Sequence, residues 1–221
     1  MRVWLIVHPF ACAVLLASVL APAYPVYADP PAKEPGWKAL FDGRSLKGWK
    51  KTQFGGEGDV EVKDAQIVLN TGSPMTGITW TEDFPKIEYE ISLAAMRVNG
   101  SDFFCGLTFP VGDSPCSFIV GGWGGGVVGL SSIDGSDASE NETTQYQEFD
   151  SGRWYAVRVR VSKHKIEAWL DKKQMVDLPT KDRTISIRSE VELSRPLGIS
   201  CYATTAALRD IKVRRLGAGE K

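Results

Sequence analysis

The chain has 221 residues, 43% hydrophobic and 24% charged, with a formal net charge of −1 at pH 7. A balance this close to neutral offers no basic footprint for a nucleic-acid backbone, which argues against that class of partner. With only two histidines, there is little material for a histidine-rich metal site.

The first 28 residues read as a secretory signal peptide. Arg2 supplies the charged start, Trp4 to Leu20 is mostly apolar, and Val26-Tyr27-Ala28 offers small residues at the cleavage positions. Pro9, Pro22 and Pro25 and the short apolar run argue against an uncleaved anchor, since a spanning helix needs about 20 apolar residues. Cys12 lacks the preceding residues of a lipoprotein signal. The expected location is therefore secreted or periplasmic, with no membrane attachment after cleavage. Cleavage removes one base and no acid, leaving 25 basic against 27 acidic residues. Residues 29–36, with three prolines and no apolar pattern, read as a linker.

Residues 37–217 then read as one domain of strands. Trp37 opens WKALFDGRSLKGW, where Asp42-Gly43 turns the chain between two tryptophans. Gln53 to Asp59 is a glycine-rich loop. Val60 to Leu69 gives two short strands around Lys63-Asp64-Ala65, and Gly77 to Trp80 another. Lys86 to Ala94 alternates cleanly, with Ile87, Tyr89, Ile91 and Leu93 on one face and Glu88, Glu90 and Ser92 on the other.

The centre of the domain is Phe103 to Leu130, read as a β-meander. Phe103, Cys105, Leu107 and Phe109 are expected on one face. Pro110 to Pro115 supplies turn chemistry, and Cys116 to Val120 returns toward a run of five glycines around Trp123. Two readings of that run stay open. Bare backbone at Gly122 and Gly124 would let a flat ligand approach main chain and indole together, or the glycines mark bulges where the sheet curves. Ser131 to Thr143 is an acidic surface loop. Trp154 to Val161 alternates again, with Arg158 and Arg160 outward. Ser162 to His164 turns into Ile166, Ala168 and Leu170, and Asp171 to Lys173 turns into Met175-Val176. Leu197 to Tyr202 and Arg209 to Leu216 close the fold, and residues 218–221 are a C-terminal tail. More than a dozen strand candidates with no convincing helix indicate an all-β, two-sheet antiparallel β-sandwich of jelly-roll type.

Of the three cysteines left after cleavage, Cys105 and Cys116 sit on strands joined by a short turn. They could form a disulfide, or all three could be buried thiols. His164, in a turn between two lysines, leaves a Ser-His-Asp triad without its base. No nicotinamide or phosphate fingerprint is present. Glu57-x-Asp59-x-Glu61 has the spacing of the jelly-roll glucanases, but Gly58 and the preceding Gly55-Gly56 suit a loop entering a strand. Asp134, Asp137, Glu140 and Glu142 could gather a divalent cation such as calcium.

Four stretches resemble the 3-keto-disaccharide hydrolase domain family. They are LFDGRSLKGW (Leu40 to Trp49), the hairpin Val60 to Leu69, RVNGSDFFCGL from Arg97, and LRDIKVRRL (Leu208 to Leu216). The resemblance implies a laminin-G or concanavalin A-like sandwich and hydrolysis of glycosides oxidised at C3. A ketone there acidifies the C2 proton, so a base can abstract it, the aglycone leaves from C1, and water adds. The family's Asn-Ser-Gly is replaced by Asn99-Gly100-Ser101-Asp102. Its Tyr-Glu-x-Gln strand corresponds to Ser117 to Trp123, which lacks the Glu and Gln. The candidate site is then Asp102 as base, Glu142 as acid or metal ligand, Arg97 as the cation on the enolate, and Trp123 as the stacking platform flanked by Gly122 and Gly124. The ligand would be a carbohydrate. The alternative is a carbohydrate-binding module with the same face and no chemistry.

Overall fold

A computed structural model describes Met1 and residues 36–220; the rest of the expected signal peptide and almost all of the linker lie outside the described residues. Among the described residues fifteen strands follow in chain order: β1 (Trp37–Ala39), β2 (Trp49–Lys51), β3 (Val60–Lys63), β4 (Gln66–Leu69), β5 (Met75–Trp80), β6 (Tyr89–Gly100), β7 (Cys105–Val111), β8 (Ser114–Gly122), β9 (Val127–Ser131), β10 (Gln145–Tyr146), β11 (Trp154–Val161), β12 (Lys165–Leu170), β13 (Lys173–Pro179), β14 (Gly198–Tyr202) and β15 (Thr204–Arg215). They form two antiparallel sheets. One has the order β13-β12-β11-β6-β15-β4-β3 with β1 also on β15, and the other β10-β9-β8-β7-β14-β5-β2. Among the described residues no helix is long and apolar enough to cross a membrane.

The strand period of two builds the core between the sheets. On β6, Tyr89, Ile91, Leu93 and Ala95 are buried, and on β11 Tyr155, Val157, Val159 and Val161. The facing sheet contributes Cys105, Leu107 and Phe109 from β7 and Cys116, Phe118 and Val120 from β8. Each large apolar side chain so buried contributes about 1.5–3 kcal/mol. The Tyr89 hydroxyl reaches across the core and donates to the Pro110 carbonyl at 2.7 Å. Phe103 departs from the expected face. It precedes β7, and Phe104 enters the core in its place.

Cys105, Cys116 and Cys201 are free and buried. Pairing of β7 with β8 sets Cys105 opposite Val120 and Cys116 opposite Phe109. Four residues of register therefore separate the two sulfurs along the hairpin, about 13 Å of extended chain, far beyond disulfide reach. Burial pushes all three thiols up to about 12.

Outside the core, Glu90 is buried on the other face of β6 and meets Arg158 at 2.9 Å, Arg160 at 3.4 Å and Arg214 at 2.6 Å. The expected tail is an ordered 3-10 turn, Ala218–Glu220, whose Glu220 pairs with Arg214 at 2.8 Å.

Candidate functional site

The outward face of the seven-stranded sheet is carpeted with small residues, because the same period of two that sends large residues inward leaves Gly106 and Thr108, Ser117, Gly129 and Ser131, and Gly198 and Ser200 facing out. A segment absent from the sequence-based strand plan, the 3-10 turn Ser189–Ser194, lies over this floor with Val191 and Ser194 buried. A Cβ on Gly198 would come within 2.6 Å of the Ser194 carbonyl, so glycine there is what lets the turn seat. Between this turn and the β8–β9 turn opens a cleft of about 270 Å³, near the lower end of the range of small-ligand sites (about 300–1,000 Å³).

Trp123, Phe103 and Tyr202 give the cleft aromatic walls, Met75 and Ile119 add apolar surface, and Asp102, Arg188 and Glu190 bring charge. Trp123 is 44% exposed, so its indole is available. Its backbone lies in the left-handed region at φ 47°, an outlier for a bulky side chain, which the surroundings must enforce. Asp102 does part of that. Its Oδ2 accepts from the Gly124 N–H at 3.0 Å and its Oδ1 from the Phe103 N–H at 2.7 Å, while Thr204 Oγ1 donates to its carbonyl at 3.1 Å.

Arg188 is the cation inside the cleft. It donates to Glu190 Oε1 from Nη2 at 2.7 Å and from Nε at 3.2 Å, and its Nη1 bonds Asp137 Oδ2. Ser131 and Ser132 both donate to Asp137 Oδ1 at 3.2 Å, so the guanidinium is tied to the sheet floor. The bond from Arg188 holds the Glu190 carboxyl below its ordinary value, and Glu190 in turn holds Arg188 up.

The other sequence candidates fall elsewhere. Arg97, expected on a developing enolate, is buried beneath the β8–β9 turn and its guanidinium is spent on backbone carbonyls. Glu142 does not line the cleft; it pairs with Arg183, which also binds Asp134 at 2.6 Å. Gly122 is buried beside Ile119, and Gly124, at φ +83°, has open space around its Cβ position; neither lines the cleft. The acidic loop does not gather the expected cation site. Asp134 and Glu142 are neutralised by Arg183 and Asp137 by Arg188, Glu140 is placed by a turn bond from its N–H to the Asp137 carbonyl, and among the described residues no three acidic, histidine or cysteine side chains converge. Such a donor set does not fit a resident calcium ion. In the glucanase-like spacing, Glu57 folds back onto the Gly55 and Gly56 N–H groups, and Asp59 lies 3.8 Å from Lys51, away from the cleft.

Arg188 and Glu190 were not singled out from the sequence. Their signal was the polar run Arg188-Ser189-Glu190 between strands; its meaning depends on the floor of small residues across which it folds.

No functionally curated protein matches the chain. Among solved structures it is similar to a Bacillus subtilis protein of unknown function with a galectin-like fold (11% identity, TM-score 0.55, covering 81% of this chain and 98% of that one). It is also similar to the carbohydrate-binding module CBM66 from Bacillus subtilis (9%, 0.51, 76% and 95%) and to a Crh5 transglycosylase in complex with NAG (12%, 0.55, 82% and 84%). At these identities the likeness establishes the sandwich fold. A family model described as the 3-keto-alpha-glucoside-1,2-lyase-like domain matches residues 36–214, nearly the whole of the described chain, and the protein belongs to that family.

Proposed function

We propose that the protein cleaves glycosides carrying a ketone at C3, by elimination followed by hydration, in the cleft walled by Trp123. The observation that carries this reading is the meeting of a carboxylate and a guanidinium, Glu190 and Arg188, with an exposed indole in one small cleft. The indole gives a flat surface for the apolar face of a sugar ring. Glu190 takes the C2 proton, and the electron pair left behind forms an enolate whose charge Arg188 stabilises. As the enolate collapses, the C1–O bond breaks and the aglycone leaves as an alcohol after taking up a proton. Water then adds across the resulting C1=C2 bond, hydroxyl at C1 and proton at C2, so the net change is hydrolysis. Asp102 keeps lone pairs free for sugar hydroxyls while its two N–H contacts set the Trp123 turn. The leader-like first 28 residues go with action outside the cytoplasm.

A second reading, sugar binding without turnover, draws support from one specific feature. Arg188 holds Glu190 below the ordinary carboxylate range, and a general base works best with its pKa near the operating pH. The two readings separate on release of 4-nitrophenol from its 3-keto-glucoside, with the unoxidised glucoside as control. Release from the oxidised substrate only, lost in Glu190→Gln, is the expected result. Saturable binding of the oxidised glucoside with no release would leave the binding module.

A further inference from the structure

Arg97 is a buried cation with no carboxylate partner among its hydrogen bonds. It is 6% exposed, stacks near Phe104 (5.2 Å) and Phe149 (5.8 Å), and spends its donors on main-chain carbonyls. Nη2 reaches Gly125 O at 2.9 Å, Asp102 O at 3.2 Å and Gly121 O at 3.4 Å, and Nη1 reaches Phe149 O at 3.3 Å. The first three carbonyls bracket Trp123: one before it, one after it, and one on the loop whose carboxylate pins Gly124. The flanking glycines are fitted to the same cation. A Cβ on Gly121 would stand 2.7 Å from Arg97 Nη2, and one on Gly125 would stand 3.4 Å from Nη2 and 2.8 Å from the Ser101 carbonyl. A bulky residue in the left-handed region is held only where its surroundings over-determine it. Arg97, arriving from β6 in the opposite sheet, is the group that contacts both sides of the turn.

We propose that Arg97 is a positioning residue of the cleft: its buried guanidinium fixes the strained turn and so sets where the Trp123 indole stands relative to Glu190. The consequence for sugar affinity rests on the reading that this cleft takes a sugar ring. The consequence for the turn does not. Lysine carries the charge but cannot present the planar fork to several carbonyls at once.

The test is a double-mutant cycle of Arg97→Lys and Trp123→Ala, read by titration with 3-keto-glucose and by amide exchange of residues 122–126. Arg97→Lys is expected to speed exchange in these residues and to weaken sugar binding about tenfold, the scale of one charge-assisted hydrogen bond. In the Trp123→Ala background the same change should cost no further affinity, which a merely destabilising role would not produce. Unchanged exchange in Arg97→Lys, or an affinity loss that persists undiminished without the indole, overturns the proposal. If Arg97→Lys does not fold, Arg97→Gln, whose planar amide can reach fewer of the four carbonyls, takes its place; faster exchange of residues 122–126 supports the clamp and parental exchange refutes it. A wild-type protein that binds no 3-keto-sugar sinks the carbohydrate reading, while the exchange arm still decides the clamp.

Discussion

Asp102→Asn tests how the cleft holds its aromatic wall. The carboxylate accepts two backbone N–H groups, from Phe103 at 2.7 Å and Gly124 at 3.0 Å. Asparagine keeps one carbonyl oxygen. If that oxygen stays on Phe103, the new NH₂ faces the Gly124 N–H, donor against donor. Loss of a hydrogen bond to a charged group costs about 1.5–3 kcal/mol, and the exposed Gly124 end places this one near the bottom of that range. Strain of about 1–3 kcal/mol at the left-handed Trp123 already works against the pinned turn. A further loss of about 1.5 kcal/mol brings pinned and released forms toward equal population. Apparent affinity scales with the fraction competent to bind, so 3-keto-glucose affinity should fall about two- to tenfold. Titration calorimetry gives the affinity and amide exchange at residues 122–126 the mobility; the two should change together. A fall in affinity with parental exchange would mean that Asp102 acts on the sugar directly, and parental values for both would refute the pin.

Other expectations follow from the same geometry. Trp123→Gly exchanges stacking surface for relief of left-handed strain, so stability should stay within about 1 kcal/mol by urea denaturation while sugar affinity falls at least as far as in Arg97→Lys. Glu90→Gln leaves Arg158, Arg160 and Arg214 crowded round a neutral group; the partly exposed arginines keep the cost near 3 kcal/mol, the low end for breaking a buried pair, with sugar affinity unchanged. Glu190 must be deprotonated to act as base, so the acidic limb of kcat/KM should lie below the ordinary 4.5 and move up toward it in Arg188→Gln. The three thiols are neutral in the fold up to about 12, against an ordinary 9. Their contribution to stability is complete below pH 9 and is lost as pH rises toward 12, because only the unfolded chain ionises in that window. Alkaline urea titrations read this directly, and a flat profile from pH 9 to 11 would contradict it.

The sandwich was legible because its signal is periodic. The alternation in β6 and β11, with Tyr89 to Leu93 and Tyr155 to Val161 inward, needs only the pleat. The site was legible only in part. Trp123 and Asp102 stand out locally, one among glycines and the other beside a turn, and both line the cleft. Arg188 and Glu190 depend on how a loop with no periodic pattern crosses the sheet. Arg97 and Glu142 are conspicuous for their charge, but their surroundings decide their use: four carbonyls for the first and Arg183 for the second. The disulfide question turned on register, which places Cys105 and Cys116 opposite Val120 and Phe109.

The most direct measurement of the proposed chemistry is proton NMR of 3-keto-glucosides incubated with the wild-type protein and with Glu190→Gln in D₂O. Removal of the C2 proton by Glu190 requires wild-type protein to release the aglycone and to leave deuterium at C2 of the free sugar, with both signals lost in the variant. Bound glucoside that keeps its C2 proton and its aglycone through many protein equivalents of time would contradict the elimination and leave a site that only binds.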